Sequence, residues 1–177
     1  MTKQYVLLMC ALATACSTGF GKGAVSEPAR MSCAGGVVQS QHELERYAGC
    51  TTIDGDLLIE NVRSLAPLAA LETVNGKLRV EHTRHLYSLA GLERVRRVQE
   101  LSLRDDTALI NASALHGLVH AERVHISHNP RLSGAFGFER ALLQSGASVE
   151  LANNAGLDAE GVREFRSQPS RTTFAQR

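Results

Sequence analysis

One short pattern, Leu/Val-x-Leu/Ile/Val-x-Asn/His/Asp-x-x-x-Leu, is written five times in this chain, and it restricts the fold more than any other feature. The copies are Leu57-x-Ile59-x-Asn61…Leu65, Leu78-x-Val80-x-His82…Leu86, Leu101-x-Leu103-x-Asp105…Leu109, Val124-x-Ile126-x-His128…Leu132 and Val149-x-Leu151-x-Asn153…Leu157. Their first residues fall 21, 23, 23 and 25 positions apart. A period in the twenties marks a solenoid, in which each unit buries its apolar face only against its neighbours. Within a copy, alternating residues such as Leu78, Val80 and His82 have the period of a strand and go to one face. The later Leu turns the chain back beneath that strand, and Leu68 and Leu71, Leu89 and Leu92, and Leu115 and Leu118 continue the inward face. Asp54-Gly55 and Asn75-Gly76 would suit hairpins. The interval between strands is too long and too regular for that, so a parallel sheet is expected.

Around this repeat the sequence places an α/β mixture. Ser40-Gln41-His42-Glu43 is a capping-box signature that predicts a short helix through Tyr47, with Leu44 and Tyr47 inward, covering the open end of the first coil. The later coils carry good helix formers over Ser113–Glu122 and Gly137–Ser145, the second ending at Gly146 as a C-cap. Asp158 is placed to cap a last helix through Arg166, and Ser167–Arg177, polar with Pro169, reads as a loose tail. The expected organisation is a leader over 1–15, a flexible tether over 16–32, rich in Gly, Ser and Ala, one solenoid domain over 33–166, and the tail.

The N-terminus fixes the expected compartment. Lys3 precedes an apolar run, Tyr5–Ala15, that ends in the small residues Ala13-Thr14-Ala15 just before Cys16. That is an export signal, and it is shorter than the roughly 20 apolar residues needed to span a bilayer. Small residues before a Cys resemble the lipobox of bacterial lipoproteins, which implies acylation of Cys16. Ala13 stands where Leu is usual, and Ala13-x-Ala15 also suits plain cleavage after Ala15. Cys10 lies in the leader and Cys16 is the acylation candidate, which leaves Cys33 and Cys50 as a pair expected to be bridged in an oxidising compartment. The alternative is a two-Cys metal site, which lacks a His or second Cys pair at zinc spacing nearby.

Cys33…Ser40-x-x-Glu43-Leu44…Cys50-Thr51-x-Ile53-x-Gly55-x-Leu57-x-Ile59, followed by Leu65…Leu68…Leu71, resembles the receptor L-domain. This module, related to leucine-rich repeats, forms the ligand-binding lobes of the epidermal growth factor and insulin receptors. The resemblance runs from Cys33 to Leu157 and weakens after Leu109, where the coils lengthen. It implies a right-handed solenoid and a binding role rather than an enzymatic one.

The residues themselves announce no chemistry. A net charge of +1 gives no field to steer nucleic acid. No Gly-x-Ser-x-Gly elbow or phosphate-cradling glycine loop is written, and no cofactor is expected. The repeated polar position, Asn61, His82, Asp105, His128 and Asn153, is expected to point inward and bond turn backbone. Three of these, His82, Asp105 and His128, stand in one file and are weighed as metal ligands, but ligands in a straight file seldom converge. His116-x-x-x-His120, on a predicted helix, has chelating spacing without the Glu of a metalloprotease motif, and reads as two surface histidines.

The outward strand positions are more informative. They form three columns: Asp56, Lys77, Glu100, Arg123 and Ser148; Leu58, Arg79, Ser102, His125 and Glu150; Glu60, Glu81, Arg104, Ser127 and Ala152. The first alternates in sign, so each charge can pair with the next. Within this face Arg79, Glu81, Glu100, Arg104, Arg123 and His125 are the candidate ligand-binding residues for a protein or glycan with acidic or polar groups. The rival reading is a solvated charge ladder on a scaffold. Together these observations predict a non-catalytic binding module anchored by lipid at a bacterial cell envelope. Ser17, rather than Asp, after Cys16 is compatible with the outer membrane.

Overall fold

The computed structural model describes residues 30–133, 146–156 and 172–175. Its frame is one all-parallel sheet of seven strands: β1 (Ser32–Val38), β2 (Thr52–Glu60), β3 (Thr73–Glu81), β4 (Arg97–Arg104), β5 (Arg123–Ser127), β6 (Ser148–Ala152) and β7 (Thr172–Ala175). Their order in the sheet is their order in the chain, as the rejection of hairpins required. Parallel neighbours also oblige each connection to run back across the sheet before the next strand begins.

The apolar columns are in register. Leu57, Leu78, Leu101, Val124 and Val149 partner one another in turn, as do Ile59, Val80, Leu103, Ile126 and Leu151. Beneath them the connections contribute Leu65, Leu86, Leu109 and Leu132, then Leu68 and Leu89, then Leu71, Leu92 and Leu115, all buried. Each such side chain taken fully out of water stabilises the fold by about 1.5–3 kcal/mol, so the repeated leucines contribute a large share of the driving force. The connections stack closely as well: Gly91 has φ 111, and a Cβ there would lie 2.2 Å from the Leu65 carbonyl oxygen.

Backbone groups are satisfied by a repeated device at each end of the strands. At their starts a single carbonyl accepts two amides from the next unit: Met31 O from Thr51 and Thr52, Thr51 O from Glu72 and Thr73, Glu72 O from Arg96 and Arg97, and Arg96 O from Val119 and His120. At their ends Asn61, His82, Asp105, His128 and Asn153 all adopt the left-handed conformation, with φ between 53° and 57°. Asn, Asp and His are the residues that enter this region most readily after Gly, because short polar side chains bond locally there.

That corner overturns the expected inward direction of these five. None of them is buried; four are exposed and Asp105 is half-buried. Positive φ interrupts the two-residue alternation, so the residue after each corner turns inward instead: Val62, Thr83, Asp106 and Asn129 are buried, and Asn154 is half-buried. These build the internal polar ladder. Asp106 Oδ1 accepts from the Thr83 amide at 2.9 Å and the Thr83 hydroxyl at 2.6 Å. Asn129 Oδ1 accepts from the Asp106 amide at 2.9 Å, and Asn154 Oδ1 from the Asn129 amide at 3.0 Å. The two asparagines also donate through Nδ2, Asn129 to Leu103 O at 3.0 Å and Asn154 to Ile126 O at 2.8 Å.

Asp106 holds the place of an asparagine without its amide hydrogens. Its Oδ2 is buried and has no partner. Burial is the largest influence on this carboxyl and pushes it up to about 7, against the lowering effect of the Thr83 hydrogen bonds.

The helix at Ser40 forms, but between β1 and β2 rather than ahead of the first strand. It comprises Gln41–Leu44 and a 3-10 turn at Glu45–Tyr47, with Leu44 and Tyr47 buried as expected. Half of the capping box is present: the Glu43 amide donates to Ser40 Oγ at 3.3 Å, while the Glu43 carboxylate accepts from the Gln39 amide at 2.7 Å instead of from Ser40. Gln41 clamps the next turn, accepting from the Arg63 and Ser64 amides and donating to Ser64 O. Cys33 and Cys50 are bridged, with Cα atoms 6.0 Å apart. Closing a loop of this size contributes about 3 kcal/mol in the chain-entropy model.

Two further expectations are corrected. The helix over Ser113–Glu122 is only a 3-10 turn, Ser113–Gly117, because the amides of Val119 and His120 are drawn to Arg96 O at the start of the sheet. His116 and His120 therefore do not share a helix face. The tail is not loose throughout, since Thr172–Ala175 pairs with β6 as the seventh strand. The leader, Cys16, the helix over 137–145 and the helix after Asp158 lie outside the described residues.

Candidate functional site on the outer strand face

The strand register places the three outward columns side by side. Lys77, Glu100, Arg123 and Ser148 partner in sequence; so do Arg79, Ser102, His125 and Glu150, and then Glu81, Arg104, Ser127 and Ala152. Neighbours in such a file are about 4.8 Å apart, within reach of one another's side chains. All six residues singled out in the sequence, Arg79, Glu81, Glu100, Arg104, Arg123 and His125, line one depression of about 330 Å³.

Its electrostatics divide into satisfied and unsatisfied parts. Glu100 lies between Lys77 Nζ at 3.5 Å and Arg123 Nε at 3.0 Å, so the alternating column does pair with itself. Asp56 joins it differently, accepting from the Lys77 amide at 2.9 Å. His125 places Nδ1 3.0 Å from the Glu150 carboxylate and Nε2 3.0 Å from the Ser127 hydroxyl. Glu81 accepts from the Ser102 hydroxyl at 3.4 Å. Arg79 and Arg104 are different. Among the described residues neither guanidinium forms an ion pair, and Arg79 Nε is buried with no hydrogen-bond partner. A donor desolvated without a partner costs about 1–3 kcal/mol, and with no carboxylate paired to either arginine their positive charge on this face is uncompensated.

The floor of the depression is Ser102, which is 5% exposed between Arg79 and His125. Its small side chain is what leaves room there. The outward columns in the sequence already contain this signal, as the smallest residue between two long ones. Lys77 and Glu150, which stand in the outward columns but outside the six candidates, also line the site, Lys77 beside Glu100 and Glu150 beside His125.

Among the described residues no group of three or more His, Cys, Asp or Glu is arranged to bind a metal. His82 stands 3.5 Å from Glu60 and 3.7 Å from Asp105, forming a surface ion-pair chain when protonated. His128 accepts at Nε2 from Asn153 Nδ2 at 2.9 Å. No described helix is long and apolar enough to cross a membrane.

Fold and site together define a class: an open, all-parallel sheet protein that presents a mixed-charge outer face with two unpaired arginines. Comparison with protein-family models finds none that matches the chain, and comparison with curated proteins likewise finds no match.

Proposed function

We propose that the chain is a non-catalytic binding module of a bacterial cell envelope, built as a right-handed solenoid of the receptor L-domain kind and held to the outer membrane through an acylated Cys16. The period of the repeat, the in-register columns and the Cys33–Cys50 bridge support the solenoid reading. The Ala13-Thr14-Ala15-Cys16 junction supports the anchor. The partner is a protein or glycan bearing acidic or polar groups, and it docks on the outer strand face.

The single observation that carries the binding reading is that Arg79 and Arg104 line one depression and, among the described residues, neither forms an ion pair. Arg presents a planar fork that matches a carboxylate or sulfate with two parallel hydrogen bonds. Changing Arg79 and Arg104 together to Ala is expected not to lower thermal stability, because neither guanidinium holds a described ion pair and the change removes the desolvated Arg79 donor. The same change weakens capture of envelope partners by the immobilised protein at least about tenfold, or roughly 1.4 kcal/mol. Capture at wild-type strength would remove this reading. The chain would then be a structural lipoprotein that scaffolds an envelope complex, its outer face a solvated ladder.

A further inference from the structure

A second cationic surface lies at the starts of the strands, away from the depression just described. It surrounds a recess of about 400 Å³ that includes Arg30, Arg96, Arg97 and His120. Among the described residues no carboxylate forms an ion pair with Arg30, Arg96 or Arg97. The acid in their midst, Glu72, is already engaged by Arg94 at 2.8 Å. The Arg96 guanidinium donates only to the Gly117 carbonyl, at 3.4 Å.

Charge is not the only feature of this corner. Five large hydrophobic side chains are exposed among the described residues, and two of them, Met31 at 44% and Val119 at 37%, adjoin these arginines in the chain or in the recess. The doubled amide-to-carbonyl bonds at Met31, Thr51, Glu72 and Arg96 hold the backbone beneath them. Cations and apolar side chains are thus fixed together on one edge of the sheet.

We propose that this edge docks on the surface of an acidic phospholipid bilayer, with Arg30, Arg96 and Arg97 meeting lipid phosphates and Met31 and Val119 entering the interfacial layer. Basic residues near an anionic leaflet each strengthen association about five-fold, and apolar side chains beside them add burial. The outer strand face does not fit this partner, because its cations alternate with Glu81, Glu100 and Glu150 and suit a discrete ligand of mixed charge. Arg30 lies fourteen positions after Cys16, so an anchor there would hold the edge within about 50 Å of the bilayer. The proposal adds an orientation to the anchor reading without requiring acylation.

The test uses the full chain carrying Cys16→Ser, so that no acyl group contributes. Its binding is measured to vesicles of phosphatidylcholine alone and of phosphatidylcholine with an equal part of phosphatidylglycerol. Changing Arg30, Arg96 and Arg97 to Ala is expected to weaken binding to the acidic vesicles roughly a hundredfold, and changing the same three to Lys to preserve it. Met31→Ser with Val119→Ser is expected to weaken it about tenfold. The Arg79→Ala, Arg104→Ala variant should bind acidic vesicles like the parent, which separates failure here from failure of the partner-binding reading. Equal binding of the parent to both vesicle types would overturn the proposal. So would an equal loss in the Arg79, Arg104 variant, or a loss in the Lys variant as large as in the Ala variant.

Discussion

Asp105 and Asp106 are the same residue in consecutive positions, and they sit in opposite worlds. Asp105 takes the left-handed corner at the end of β4, half-exposed and 3.7 Å from His82. Asp106 turns under the sheet into the ladder of Thr83, Asn129 and Asn154, fully buried, with one carboxylate oxygen bonded twice and the other not at all. The contrast separates two selection rules. At the corner the requirement is conformational, and any side chain tolerant of positive φ will serve. One residue later every polar atom must be matched, so the chemistry of the side chain decides.

The largest expected break of this contrast is with pH. The Asp106 carboxyl is raised to about 7 by burial, from an ordinary value of 3.8. Between those values the folded chain holds a proton that the unfolded chain has released. Stability from this group is therefore fully present below about pH 4, declines as pH rises toward 7, and is flat above. The loss is on the order of 4 kcal/mol. Denaturant unfolding across this range should show it, and Asp106→Asn should abolish it, leaving a protein more stable than the parent at pH 8. By repeat equivalence the new amide faces the Val80 carbonyl, as Asn129 faces Leu103. If the parent and the Asn variant keep a constant stability difference from pH 4 to 8, the buried carboxyl does not titrate with folding.

A smaller effect is expected at the next rung. Asn129→Ala removes the partners of the Asp106 amide and of the Leu103 carbonyl, which predicts a loss of about 3 kcal/mol in unfolding free energy. A loss under 1 kcal/mol would mean that water replaces the side chain and that the ladder is not closed to solvent. The outer columns should give the smallest effect of all. Lys77→Ala combined with Arg123→Ala breaks both pairs to Glu100, yet exposed ion pairs contribute only about 0–1 kcal/mol each. Thermal melts should therefore shift by only a few degrees.

How much of this the sequence reveals depends on which rule governs each residue. The leucine columns are legible because burial on a parallel sheet repeats with fixed spacing, and the parallel pairing follows from the length of each connection. The polar ladder is misassigned by one position because strand alternation is carried past a residue that ends it. The clue is present all the same: Asn, His, Asp, His and Asn at equivalent positions are the residues that favour positive φ. Strand β1 is not announced, since its first five residues, Ser32-Cys33-Ala34-Gly35-Gly36, have neither alternation nor β-branched side chains and only Val37 and Val38 favour a strand; its place comes from pairing with β2. The outer site is legible as columns of charge, but which charges are left unpaired emerges only from side-chain geometry, as with Arg79 against Arg123.

The Cys33–Cys50 bridge also determines how the domain bears load. A pull on the chain ahead of Arg30 reaches the sheet at β1, which is an edge strand and the first that could be peeled away. Because Cys33 is the second residue of β1, tension passes through the sulfurs to Cys50 and leaves the intervening segment slack. The force is delivered to Thr51 and Thr52, at the root of β2, a strand held on both sides. The covalent link thus moves the point of mechanical failure from the margin of the sheet to its interior, where many backbone bonds must yield together.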